Sequence, residues 1–405
     1  MRDTDLMQMA LGLVPPWMVT RTAFDPEAKR IDIHIDFPRG TKFACPVCGA
    51  DGCPAHDTEE MRWRHLNFFQ HEAYLHARVP RVRCTKCGVK RIPVPWARDG
   101  SGFTLLFEAL IMALVTAMPV NAVARHVGEH DTRLWRIIHH YVEEARRRAD
   151  YSSVTRVAID ETASRRGHDY VTLFVDLDNS RVLFAAEGKD SSTVKAFADD
   201  LVQHRGDPNA VNEVCIDMSQ GFISGTTEYL PNAQITFDKF HAVQLVNEAV
   251  DLVRRAEQKE RGDLLTKTRY IWLKNPGNLT TKQRAKLESL SRYNLKTARA
   301  YQIRLTFQEL FNQPTKNDAE TFLKKWYFWA THSRLEPIKQ VARTIKRHWD
   351  GILRWFDSQI ANGLIEGINS LVQAAKAKAR GYRTNRNLCA IIYLIAGKLD
   401  IRLPT

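Results

Sequence analysis

The chain has 405 residues, 44% of them apolar and 26% charged, as expected of a packed protein of several domains rather than a disordered or fibrous one. Its 59 Lys and Arg outnumber 46 Asp and Glu, and the resulting formal charge of +13 favours a polyanionic partner, nucleic acid above all. The longest apolar run, residues 103–120, is interrupted by Glu108 and ends near Pro119, and the N-terminus lacks a signal-peptide pattern, so a cytoplasmic protein with no membrane partner is expected.

Residues 1–38 are weakly patterned, apart from the alternation Ile31-Asp-Ile-His-Ile35, which predicts a strand. Residues 43–96 read as short strands and turns rich in Cys, His and Pro. Five of the seven cysteines fall between Cys45 and Cys87, and two Cys-x-x-Cys-Gly knuckles stand out: Cys45-Pro-Val-Cys48-Gly and Cys84-Thr-Lys-Cys87-Gly. Each turn offers two thiolates to one ion, and two knuckles complete a closed, tetrahedral, structural Zn²⁺ site. A compact rival set is Cys45, Cys48, Cys53 and His56. Arg62, Arg64, Arg81, Arg83, Lys86 and Arg91 surround the motif, in a stretch where nine basic residues (62–98) face Glu72 alone, so this module is expected to touch DNA phosphates.

A helical block is predicted from about 102 to 148. Within it, residues 120–137 fit a helix-turn-helix: Ala124 is small where the helices cross, Gly128 permits a left-handed turn, and Val123, Val127, Leu134 and Ile137 form the shared core. Asp131 or Thr132 would cap the second helix, which would present Thr132, Arg133, Arg136 and His140 to a major groove. The bland alternative is an ordinary helical hairpin.

At Val154 the pattern turns to strands, at 156–160, 171–177 and 181–186, the last two joined across Asp178-Asn179. A helix is predicted over 191–204, then strands over 213–217 and 233–237. From Phe240 to about Ser370 nearly everything reads helical, with breaks at Asn275-Pro-Gly277 and Gln313-Pro314.

Asp160 and Asp217 each close an apolar strand. A carboxylate there is costly unless paired or bound to a cation. Two on adjacent strands point to divalent metal between them, an arrangement that needs a third acid. Glu366 is the best candidate. It lies on an amphipathic helix (Leu364, Ile368, Leu371, Val372) that becomes strongly basic, with Lys376, Lys378, Arg380, Arg383 and Arg386 and no acid over residues 371–386. The bland alternatives are a turn cap at Asp160, with Glu161 as a decoy, a helix cap at Asp217, and an exposed helical Glu366.

Together, Asp160-Glu-Thr162, Cys215-Ile-Asp217-Met-Ser, Phe237-Asp-Lys-Phe-His241, Tyr270-Ile-Trp-Leu-Lys274 and Gly363-Leu-Ile-Glu366-Gly-Ile-Asn369 resemble the DDE transposases of bacterial insertion sequences, in the ISL3 group. Ile365 departs mildly from the polar residue expected there. The resemblance spans essentially the whole chain. It implies a multidomain α+β protein: a zinc-binding DNA-binding domain (1–98), a helix-turn-helix domain (99–150), and a ribonuclease-H-like core (151–245 and 356–405) interrupted by an all-α insertion (246–355). It implies that Asp160, Asp217 and Glu366 are a catalytic triad holding Mg²⁺ (or Mn²⁺), with His241 near the catalytic metals and Lys239 at the DNA. Double-stranded DNA is the expected partner, both element terminal inverted repeats and target, bound by a homodimer or higher assembly. The rival functions are a ribonuclease-H-like nuclease or resolvase and a non-enzymatic regulator derived from a transposase. Of the aromatic set Trp272, Trp326, Tyr327, Trp329, Trp349 and Trp355, all but Trp272 are expected in the core, and Trp272 is the candidate for stacking on a base.

Overall fold

A computed structural model describes residues 2–165, 169–360 and 363–404. The chain divides into two units, Met1–Tyr141 with Ile401–Thr405, and Val142–Asp400.

The first unit begins with helix α1 (Asp3–Ala10) and strands β1 (Met18–Asp25) and β2 (Arg30–Asp36). Only the β2 alternation was legible, and Ile31, Ile33 and Ile35 are indeed buried along one face. After the two-residue β3 (Lys42–Phe43) come β4 (Cys53–Phe68), β5 (His71–Cys84) and β6 (Gly88–Arg91). The short strands expected here are instead one long hairpin, because apolar residues recur at every second position of β5 through Ala73, Leu75, Ala77 and Val79. The sheet order is β1-β2-β5-β4-β3, with β6 beside β5. Helices α2 (Leu105–Ala117), α3 (Val120–Val127) and α4 (Asp131–Arg148) follow, the first capped by Thr104, whose hydroxyl accepts from Phe107 N–H.

The second unit is built on a five-stranded mixed sheet ordered β11-β10-β7-β8-β9. Strands β7 (Arg156–Ala163), β8 (Tyr170–Asp176) and β9 (Arg181–Glu187) form an antiparallel meander. Strands β10 (Glu213–Ile216) and β11 (Gln234–Phe237) add in parallel beyond β7. Parallel neighbours need crossovers. Helices α5 (Ser191–Gln203) and α6 (Gln220–Tyr229) provide them, capped by Asp190 and Ser219. Val157, Ile159, Phe174, Leu183, Val214 and Ile216 supply the sheet's share of the core, with Phe197 stacked on Phe174 at 4.4 Å.

From Lys239 onward every described element is helical: α7 (Lys239–Gln258), α8 (Gly262–Leu265), α9 (Arg269–Leu273), α10 (Thr281–Ser291), α11 (Lys296–Gln308), α12 (Lys316–Thr331), α13 (Glu336–Arg347), α14 (Trp349–Leu353), α15 (Trp355–Ser358), α16 (Gly363–Ala379) and α17 (Asn385–Ala396). The helical stretch thus outlasts its expected end at Ser370. Among the described residues no helix is long and apolar enough to cross a membrane.

Trp272 is a correction. It is 1% exposed, with its indole N–H donated to Thr268 at 3.1 Å, and cannot stack on a base, whereas Trp329 is 39% exposed. The Tyr301 ring, 29 residues further along the chain, meets the Trp272 indole edge-on at 5.6 Å, a tertiary cover invisible in the local sequence.

Candidate functional site

Ladder register assembles the first site. One knuckle lies between β3 and β4, the other between β5 and β6, and pairing of Ala55 with Val82 brings the two turns together. The sulfur atoms of Cys45, Cys48, Cys84 and Cys87 all lie within 4.8 Å of one another. Gly49 and Gly88 follow the knuckles at φ +71° and +73°, the left-handed backbone that lets the turn close. Backbone N–H groups point at sulfur: those of Cys87 and Lys86 bring Cys84 down to about 6, and those of Cys48 and Val47 lower Cys45. The hydrogen bond with Cys48 pushes Cys87 up to about 12, but four convergent thiols, two of them favoured as thiolates, fit a structural Zn²⁺. The rival set does not form: Cys53 is buried and donates to the Ala50 carbonyl at 3.4 Å, and His56 faces Arg83.

In the helix-turn-helix, Val123, Ala124, Val127, Leu134 and Ile137 are buried together, and Gly128 ends α3 at φ +72°. The capping expectation is corrected by one position. His130, not Asp131 or Thr132, precedes the helix, and its Nδ1 accepts from Thr132 N–H at 3.3 Å. Thr132 and Arg136 are exposed and His140 is half-buried, its ring 5.1 Å from Tyr141. Arg133 ion-pairs with Glu129 and stacks at 4.2 Å on Phe103.

The basic residues around the knuckles separate into two kinds. Arg62 and Arg83 are exposed, and Arg81 bonds Asp57 at 2.6 Å while remaining half-exposed. Arg64, expected at the DNA, is 1% exposed. Its guanidinium donates to the carbonyls of His65 (2.6 Å) and Ala73 (3.2 Å) and to Asn67, between the Tyr74 and Phe107 rings. It is a structural residue and cannot reach a phosphate. The cover comes from residues 102–104, whose backbone pairs with that of Arg64.

The second unit carries carboxylates on or just past three neighbouring strands. Asp160 sits on β7, Asp217 just past β10, and Asp238 just past β11 as the cap of α7. Asp160 Oδ1 accepts from Glu161 N–H at 2.8 Å, and Asp160 Oδ2 from Asn369 Nδ2 at 2.6 Å. Burial raises Asp160 above the usual carboxylate range, and Glu161 likewise, against the pull of Lys189. Asp217 Oδ1 accepts from Ser219 N–H at 2.9 Å, while Ser219 itself caps α6, so Asp217 is not the helix cap. His241 Nδ1 pairs with Asp238 Oδ2 at 3.0 Å; this bond raises its basicity, helped by the fields of Asp160 and Asp217.

Helix α16 reaches this edge through Asn369, and through Gln373 and Lys376, which donate to Thr162 and the Ala163 carbonyl. Glu366 lies one turn before Asn369 on the same helix face and is exposed. Among the described residues the acids do not close into a ligand cluster as the cysteines do. Asn369 Oδ1 is buried with no hydrogen-bond partner. Of the remaining cations, Lys239 lies 4.7 Å from the Trp355 ring, and Lys378, Arg380 and Arg383 are exposed at and beyond the end of α16. Asp238 and Asn369 were missed as site residues. Asp238 carried the same signal as Asp217, an acid directly after a short apolar strand.

A helix-turn-helix, in one chain with acids gathered beside a mixed sheet, fits an enzyme that acts on DNA, and comparison with known proteins agrees. Residues 157–392 match the ISL3 DDE transposase model, residues 92–142 the helix-turn-helix domain of transposase family ISL3, and residues 41–87 the zinc finger of the IS204/IS1001/IS1096/IS1165 transposases. The transposase for insertion sequence element IS1557 of Mycobacterium tuberculosis is 30% identical over 368 residues, which cover 82% of this chain and 81% of that protein. The transposase for insertion sequence element IS1001 of Bordetella parapertussis is 28% identical over 399 residues, 95% and 96% of the two chains. The chain belongs to the ISL3 family of insertion-sequence transposases, which selects DNA transposition over the resolvase reading.

Proposed function

We propose that the second unit is a ribonuclease-H-like core (151–245 and 356–405) whose all-α insertion (246–355) separates Asp217 from Glu366, and that Asp160, Asp217 and Glu366 hold the catalytic Mg²⁺ or Mn²⁺. Support comes from Asp160 within β7 and Asp217 just past the neighbouring strand β10, and from α16, whose Asn369 donates to Asp160. The buried, partnerless Asn369 Oδ1 supplies an acceptor for a hydrated cation. The donor set is all oxygen, as hard divalent ions require. When bound, such ions activate water and stabilise the attacking and leaving oxygens of a phosphodiester.

The chain's own groups orient the reaction. Asn369 fixes the Asp160 carboxylate, and Asp238 fixes the His241 ring beside the scissile phosphate. On this reading the zinc module and helix-turn-helix hold the element's terminal inverted repeats, with Arg62, Arg81 and Arg83 on phosphates and Thr132, Arg133 and Arg136 at the groove. Lys239, Lys376, Lys378, Arg380 and Arg383 line the strand being cut. Water cuts at the element end, and the freed 3′-hydroxyl then attacks target DNA. Joining both ends together calls for a homodimer or larger assembly, acting in the cytoplasm.

The carrying observation is the convergence of Asp160, Asp217 and α16 on one sheet edge. Labelled element-end DNA with Mg²⁺ tests it. Wild-type protein gives nicks and strand-transfer products, while Asp160→Ala and Asp217→Ala bind the end normally and yield neither. Cutting by either variant rejects the triad, and end binding by the wild type without any cutting leaves a regulator.

A further inference from the structure

The closed end of the β4–β5 hairpin carries a group of rings that neither site uses. Phe69, at φ +54° in the turn, is 81% exposed, and its ring meets Phe68 edge-on at 4.8 Å. Phe68 pairs with His71 in the ladder, and His71 meets the 54%-exposed Phe24 edge-on at 4.7 Å. Contiguous exposed rings on a protein surface mark a contact site.

The same hairpin is fastened to the turn of the helix-turn-helix. Buried Arg64 ion-pairs with Glu72 at 3.8 Å and with Glu129 at 4.0 Å, and Glu72 Oε1 lies 3.1 Å from the place a Cβ on Gly128 would take. Gly128 and Glu129 lead directly into α4, the helix expected in the major groove. From Glu72 to the tip is three residues, about 10 Å at the rise of a strand. The major groove is about 12 Å wide, so a tip at that distance from a helix lying in it reaches the flanking backbone and minor groove. Charges around the tip are mixed: Asp25 and Glu27 lie in the adjoining turn, with Asp25 Oδ1 accepting from Ala28 N–H at 2.9 Å, and Lys29 accepts from Glu72 N–H at 2.9 Å through its carbonyl. The tip therefore offers ring faces rather than a phosphate clamp.

We propose that Phe69, backed by Phe68, is a wedge that enters the minor groove beside the recognition helix and unstacks a base step of the element-end duplex. The contact extends the interface of the helix-turn-helix and supplies recognition through the deformability of that step, the way inserted apolar side chains kink DNA. It rests on the proposed end binding by the helix-turn-helix and makes no use of the acidic site: failure of the wild type to bind the end rejects that reading, whereas bound DNA with no unstacked step rejects the wedge alone.

The test uses the full-length, zinc-loaded protein and terminal DNA of its own insertion sequence, without added Mg²⁺. 2-Aminopurine is placed in turn at each step flanking the footprint of α4. The wild type brightens one step severalfold. Phe69→Ser abolishes that signal and weakens binding about tenfold, the size of one lost ring–base stack, while Phe69→Trp restores both. Because Phe69 is exposed, zinc content and melting temperature stay at wild-type values in both variants. The proposal is overturned if no step brightens with the wild type or if Phe69→Ser brightens it equally. It is also overturned if the substitution changes only the oligomeric state, which would make the tip a contact with a second copy.

Discussion

Cys45, Cys48, Cys84 and Cys87 come from two turns that one hairpin register brings face to face, whereas Asp160, Asp217 and Glu366 come from a strand, the loop after another strand and a helix far along the chain. The cysteines already stand within bonding reach of a common ion, with N–H groups favouring the thiolates of Cys84 and Cys45. The acids stand apart, Asp160 is held above its usual range by burial, and Glu366 faces solvent. A structural ion is part of the fold that surrounds it, so its ligands are arranged by folding. On the proposed reading, a catalytic ion must share its ligands with substrate, so charge would be kept in place at a cost until the ion and the DNA arrive.

The largest effect should separate the two centres by what metal removal does. Cys84→Ser should abolish the one zinc per chain, unfold the first unit and eliminate end binding, since a structural zinc contributes on the order of 10 kcal/mol to its module. Zinc stoichiometry and limited proteolysis measure this. Withdrawal of Mg²⁺ should leave the fold and end binding unchanged and stop cleavage alone.

Within the acidic edge, exposed and buried members should part company. Glu366→Gln should lower cleavage by about 10²–10³, as loss of a group acting on transition-state charge does, with no change in melting temperature. Asn369→Ala should lower cleavage and also cost about 1–2 kcal/mol of stability, for a lost bond to a carboxylate. If Glu366→Gln cuts DNA at the wild-type rate, the third carboxylate is a different one, with Asp238 next in line.

Two further effects test the first unit. Arg64→Ala should destabilise it by about 3–5 kcal/mol, because the buried Glu129 side chain loses a cation and the carbonyls of His65 and Ala73 lose their donor. Arg136→Ala should leave stability alone and reduce the salt slope of end binding by about 1. Denaturant melts and binding isotherms over a salt series distinguish them. Burial brings His65 down to about 4, against the ordinary 6.5, with its Nδ1 at 2.9 Å from the Thr104 hydroxyl. As pH falls below 6.5 the unfolded chain takes up a proton that the folded chain refuses, so stability should fall between pH 6.5 and 4 by up to about 3 kcal/mol. His65→Gln should flatten that part of the curve.

Ile31 to Ile35, the two knuckles, Gly128 and the strand before Asp217 were legible because each rests on spacing within a few residues, whereas β7 runs past Asp160 to Ala163 through its pairing with β8. Asp238 shared the signal of Asp217 and went unread. Its place beside the others depends on β11 lying parallel to β10, which the strand pattern alone does not give. Arg64 and Arg62 look alike in sequence. The difference arises because residues 102–104 lie over one of them, and net charge is blind to that cover.

The amino-acid order alone therefore settled the composition of the zinc centre, the helix-turn-helix and the family, since ligand spacing, turn glycines and apolar periodicity act over short range. Folding in three dimensions decided which arginines face solvent, that Trp272 is sealed in, and that Asn369 rather than Glu366 grips Asp160. Those outcomes depend on partners many residues apart, whose meeting is set by packing and sheet order and leaves no local periodicity to read.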